Sequence, residues 1–163
     1  MIGSSMIAMF FLMYLNSYQI LDHAWFSETR LFMTLIMGAA MMAIMLGFML
    51  GMYGNRKANV AIFLGAGVLL LAAVWLVRSQ ATVTEVDYMQ GMIPHHSIAI
   101  LTSERARIED SRVRKLADEI IAAQRREIRE MEWLIDDVET NGVAATQAEA
   151  EARPVPSFSA APE

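Results

Sequence analysis

Three long apolar runs, at residues 2–20, 31–53 and 60–77, occupy the first half of the chain and set what it can become. From Met1 to Val77 the charged side chains are Asp22, Glu28, Arg30, Arg56 and Lys57 alone. Each run is close to the roughly 20 residues that cross the hydrocarbon core of a bilayer. Buried helices of a soluble bundle would carry a charged outer face, and these runs have none. Residues 1–78 therefore read as three transmembrane helices. The first run lacks the basic leader and small-residue cleavage site of a secretory signal, so it reads as a retained helix.

Orientation follows from the connecting segments. Residues 54–59 (GNRKAN) hold two basic side chains and no acid, whereas residues 21–30 (LDHAWFSETR) hold two acids and one base. The positive-inside rule places Arg56 and Lys57 in the cytoplasm. The amino terminus is then cytoplasmic, and the third span delivers the second half of the chain to the far side. In a bacterium this makes the protein an inner-membrane protein with its C-terminal domain in the periplasm. Arg78, just after the third span, argues the other way.

Beyond residue 78 the composition inverts. Residues 79–163 carry nine basic and sixteen acidic side chains, a net charge of about −7. Nucleic acid, whose affinity comes mostly from neutralised phosphates, is a poor partner for such a surface. The absence of cysteine removes disulfides, thiolate metal sites and dithiol redox chemistry. Any soft-metal chemistry falls to fourteen methionines and three histidines.

Residues 84–140 read as a helical hairpin. Thr84 with Asp87 three residues on resembles a capping box. Met89, Met92, His96, Ala99, Ile100, Ser103 and Ala106 follow at helical spacing. Pro94 lies inside that run, where it either kinks the helix or begins a new one. A break at residues 108–111 offers Asp110 or Ser111 as the next N-cap. The second helix carries Val113, Leu116, Ala117, Ile120, Gln124, Ile128, Met131, Leu134, Ile135 and Val138 as an apolar stripe. Asn141-Gly142 stops it. Residues 141–163, rich in Ala, Glu, Pro and Ser, read as a disordered tail. The expected fold class is all-α. Two helices alone leave apolar surface uncovered, so a second hairpin, in a homodimer or larger homo-oligomer, is expected to complete a four-helix bundle.

The chemistry concentrates in residues 87–96 (DYMQGMIPHH). At about 100° per residue, Met89, Met92 and His96 share one stripe. Two thioethers and an imidazole suit Cu(I), which prefers soft donors. Met131, on the inward stripe of the second helix, could approach the same cluster. His95 points about a sixth to a third of a turn away and could serve as a further ligand, a second site or plain polar surface. The same spacing also serves as ordinary core packing, methionine being a common filler.

The stretches YMQGMIPHHSIAI and VRKLADEIIAAQRREIREM resemble the paired signature of domain-of-unknown-function family 305. That signature joins an M-[IV]-P-H-H element to an L-A-x-x-I-x-x-x-Q-x-x-E-I-x-x-M element, here over residues 85–138. The resemblance implies a ferritin-like helical fold and, as in some members, periplasmic copper binding through methionine and histidine. The MYLNSY and SETRLFMTLIMGAAM stretches also resemble a membrane-bound branch of that family. By position the implied copper ligands are Met89, Met92, His95, His96 and Met131, with Gln124 and Glu127 in structural or supporting roles. One departure is Thr102, at a position where many members have another methionine.

Met33, Met37, Met41, Met45 and Met49 repeat every four residues along the second span, a row that winds slowly around the helix. Such spacing resembles the element of eukaryotic copper transporters, although methionine also packs well between spans. Gly38, Gly47, Gly51, Gly65 and Gly67 are expected to mark close helix contacts. Asp22 and His23, near the membrane edge, suit an interfacial hydrogen bond or a capture site. The leading expectation is a membrane-anchored protein that buffers or hands on copper. A metal-free structural or partner-binding membrane protein and a copper-conducting oligomer are the alternatives. An enzyme is not expected: no glutamate of the hairpin has the Glu-x-x-His partner of di-iron sites, and no hydroxyl has an activating base beside it.

Overall fold

A computed structural model describes residues 2–13 and 27–159. It is all-helical among the described residues, with α1 (Ile2–Leu12), α2 (Glu28–Met49), α3 (Arg56–Ser79), α4 (Glu85–Arg105), α5 (Ser111–Asn141) and α6 (Gln147–Ala152). Two compact units result, one holding α1 to α3 and the other α4 to α6.

In the first unit, α2 and α3 have 22 and 24 residues and mean hydropathies of 2.2 and 2.7 over their most apolar windows. At 1.5 Å per residue they extend about 33 and 36 Å, long enough and apolar enough to cross a bilayer. The first expected span differs. Its described part is α1, eleven residues or about 16 Å, too short to cross alone. Residues 14–20 of that run lie outside the described residues, as do Asp22 and His23. The described residues therefore contain two helices of spanning length, where the sequence suggests three.

The helices start where side chains accept from the first free amides. Ser27 accepts from the Arg30 amide at the head of α2, and Asn55 from the Ala58 amide at the head of α3. The Asn59 amide nitrogen donates to the Tyr53 carbonyl at 3.0 Å, tying α3 to the preceding loop. Among the buried positions, Phe32, Ala39 and Leu46 of α2 and Asn59, Ala66 and Ala73 of α3 each recur every seven residues, beside Arg30, Thr34 and Gly38 on α2. A seven-residue period keeps one seam facing its neighbour, and small residues let the backbones approach. Of the glycines expected at contacts, Gly38 alone fills that role. The Met6 side chain of α1 stands where a Cβ on residue 38 would go, while Gly47, Gly51, Gly65 and Gly67 border open space. Ala39, Ala66 and Ala73 are the small residues buried there instead of these glycines.

In the second unit, Thr84 and Asp87 form the expected capping box. The Thr84 hydroxyl accepts from the Asp87 amide and the Asp87 carboxylate from the Thr84 amide. Pro94 neither ends α4 nor starts a new helix: α4 runs unbroken from Glu85 to Arg105 with Pro94 buried inside it. Proline costs such a helix one ladder hydrogen bond, which the burial of its ring offsets in part. Asp110 caps α5, accepting from the Arg112 amide at 2.8 Å. Gly142, at φ +78°, closes α5 in a conformation that a side chain would strain. The two helices enclose Met89, Ile93, Ile100, Ile128, Met131 and Ile135, with Val86, Met92, Ile121 and Leu134 packed against them.

Residues 143–159 depart from the expected disordered tail. Thr146 and Glu149 form a second capping box, starting α6. Arg153 then donates to the Asp137 carboxylate at 2.6 Å and to the Gly142 carbonyl at 3.1 Å. Arg129 donates to the Ser159 carbonyl at 2.8 Å. The segment is tied back along α5 by polar contacts, which apolar periodicity does not register.

Candidate metal centre

The expected donors fall into three environments. Met89 and Met131 are buried in the hairpin core, and Met92 packs against it. His96 lies next to that core on α4, its side chain only 15 % exposed. His95 is exposed, its ring centroid 6.0 Å from that of His96 with the planes 68° apart. The stripe through Met89, Met92 and His96 thus turns inward, as helical spacing requires, and the neighbouring histidine turns out. Met92 lies one turn before His96 on α4, and Met131 one turn after Glu127 on α5. Because His96 faces Glu127 across an antiparallel pair, these steps bring the two thioethers to similar heights in the hairpin.

The contact across the hairpin joins three polar side chains. His96 Nε2 lies 3.6 Å from Glu127 Oε2. The Gln124 amide nitrogen donates to that same carboxylate oxygen at 3.3 Å. Two buried atoms of this trio, His96 Nδ1 and Gln124 Oε1, have no hydrogen-bond partner. Buried polar atoms are almost always paired, so two orphans in one network call for a physical reason.

Burial pushes the His96 imidazole below its ordinary pKa of 6.5, the Glu127 carboxylate pulls it back up, and His95 lowers it further. The balance leaves a neutral ring at neutral pH, the form that binds metals. Among the described residues no group of three or more His, Cys, Asp and Glu side chains gathers. The donors on hand are therefore thioethers and one inward imidazole, a soft set that suits Cu(I) or Ag(I) rather than Mg²⁺ or Ca²⁺. Thr102 adds nothing to it: it is exposed, and its hydroxyl donates back to the Ile98 and Ala99 carbonyls of its own helix.

Other charged pairs have plain structural roles. Arg125 pairs with Glu104 and donates to it across the hairpin, and Arg114 reaches the Ser103 carbonyl at 3.0 Å while pairing with Asp118. They clamp the end of the hairpin near its loop. Gln124 and Glu127, placed by family resemblance alone at the level of sequence, acquire a definite contact only in the fold. Their three-residue spacing on α5 is the signal that puts them on one face.

No solved structure is similar to this chain. A relative among known proteins is the uncharacterized protein L153 of Acanthamoeba polyphaga mimivirus, 39 % identical over 71 residues. The aligned segment covers 42 % of this chain and 47 % of the relative, so the chain spans about half the length of the protein it matches. The hairpin and the segment folded back on it, residues 85–160, match the family described as Domain of unknown function (DUF305).

Proposed function

We propose that this protein is a membrane-anchored copper-binding protein that buffers Cu(I) or hands it on through the methionine–histidine cluster of its hairpin. The observation that carries the reading is His96: a half-buried imidazole whose Nδ1 is buried and unpartnered, beside a core that contains Met89 and Met131 with Met92 packed against it. Those side chains would retain the ion, and exposed His95 would serve as its first point of contact. Copper is cargo here, and the hairpin's residues bind and shield it from water.

In this reading α2 and α3 span the membrane. The hairpin sits on the periplasmic side of a bacterial inner membrane. Tyr88, Val113, Leu116 and Ile120 are exposed large side chains on the hairpin, which supports its pairing with a second copy as a homodimeric four-helix bundle.

The test is a Cu(I) titration of the full chain in detergent against a competing chelator, beside a His95→Ala/His96→Ala double variant. Tight binding by the parent chain, lost in the double variant with helicity retained, is the expected result. Equal retention of copper by both, or none by either, would sink the proposal.

A further inference from the structure

Glu127 and Gln124, expected in structural or supporting roles, account for the geometry around His96. A neutral imidazole holds one proton on either Nδ1 or Nε2. With the proton on Nδ1, a buried N–H would have no acceptor, and the Nε2 lone pair would face the negative Glu127 carboxylate at 3.6 Å. Both features are unfavourable. With the proton on Nε2, the proton lies on the side of the carboxylate, and buried Nδ1 keeps its lone pair. The Gln124 amide holds that same carboxylate oxygen at 3.3 Å and so fixes the direction from which the field acts.

We infer that Glu127, held by Gln124, is a positioning residue that locks His96 in the Nε2–H form and presents Nδ1 as the nitrogen that takes a soft monovalent metal ion. The inference rests on the copper-binding reading and deepens it by naming the ligating atom. The arrangement resembles a general one, in which a metal-binding imidazole turns its other N–H toward a carboxylate that orients the ring and raises its basicity; here the two atoms are 3.6 Å apart. It also separates the adjacent histidines: His95 is exposed, whereas His96 turns its Nε2 toward Glu127.

The experiment uses the full-length protein in detergent, labelled with ¹⁵N at histidine and ¹³C at methionine methyls, with silver(I) as a redox-inert stand-in for Cu(I). Nitrogen shifts report the tautomer of each ring before metal is added and the ligating nitrogen afterwards. The expected result is an Nε2–H tautomer for His96 in the metal-free protein, then a silver-induced shift at Nδ1 with Nε2 still protonated. In Glu127→Leu the tautomers should mix and silver affinity fall about 10- to 100-fold. Glu127→Gln, which keeps an oxygen acceptor at the same place, should recover part of that loss. A purely structural Glu127 would change neither the tautomer nor the ligating atom. An Nδ1–H tautomer in the metal-free protein, or silver on Nε2, overturns the inference; methionine methyls that shift in that case leave the copper reading standing. Silver that shifts neither methionine nor histidine overturns both.

Discussion

Position 102 separates what a motif implies from what a side chain can reach. The family pattern favours methionine there, but Thr102 is exposed and bonded to its own helix. Thr102→Met is therefore expected to leave Cu(I) affinity within about twofold of the parent, as chelator competition would show; a tenfold gain would mean that the position does reach the cluster. The inward set was legible because helical spacing alone separates Met89, Met92 and His96 from His95. The trio of His96, Glu127 and Gln124 was not, because it joins residues about thirty positions apart. Only the height at which two helices meet decides which carboxylate faces which ring.

Caps and seams decide the elements. Thr84→Ala removes one hydroxyl that accepts from the Asp87 amide, and is expected to cost about 1 kcal/mol of hairpin stability, measurable by thermal or denaturant unfolding. At the head of α5, hydrogen bonds from the Arg112 side chain, then from its backbone amide, hold the Asp110 carboxyl at about 2 against an ordinary 3.8. A carboxyl depressed in the folded state adds stability that is fully present above the unfolded value and fades as pH falls toward 2. The helicity of α5 should thus weaken on acidification below about pH 4, and Asp110→Asn, which still caps, should lose that part of the pH dependence. If its acid profile overlays the parent's, the cap's charge is without effect. Capping residues were legible because their signature is local. Pro94 was ambiguous because proline's cost is local while the burial that offsets it is not. The Phe32–Ala39–Leu46 and Asn59–Ala66–Ala73 rows are also written in the sequence, but their seven-residue period is masked by apolar residues on every other face.

Taken whole, the chain joins an apolar helical unit to a polar one, and that division was plain from the placement of charge. A cysteine-free background makes its topology accessible to direct labelling. With Lys57→Cys in the α2–α3 end of the first unit and Val143→Cys in the exposed start of the folded-back segment, a membrane-impermeant thiol reagent applied outside intact cells or spheroplasts should modify residue 143 and spare residue 57. The reverse pattern would invert the proposed orientation. The segment after α5 has its own bearing on how such a protein can be dissected. Asp137, only 14 % exposed, has Arg153 as its ion-pair partner, and α5 is bridged again at Arg129. Trimming the chain at residue 142 would take the cation from that carboxylate, leaving it the Asn141 amide alone, and bare one flank of the helix that carries Glu127 and Met131. A minimal fragment chosen by its two-helix outline would differ in its electrostatics from the domain it was meant to represent.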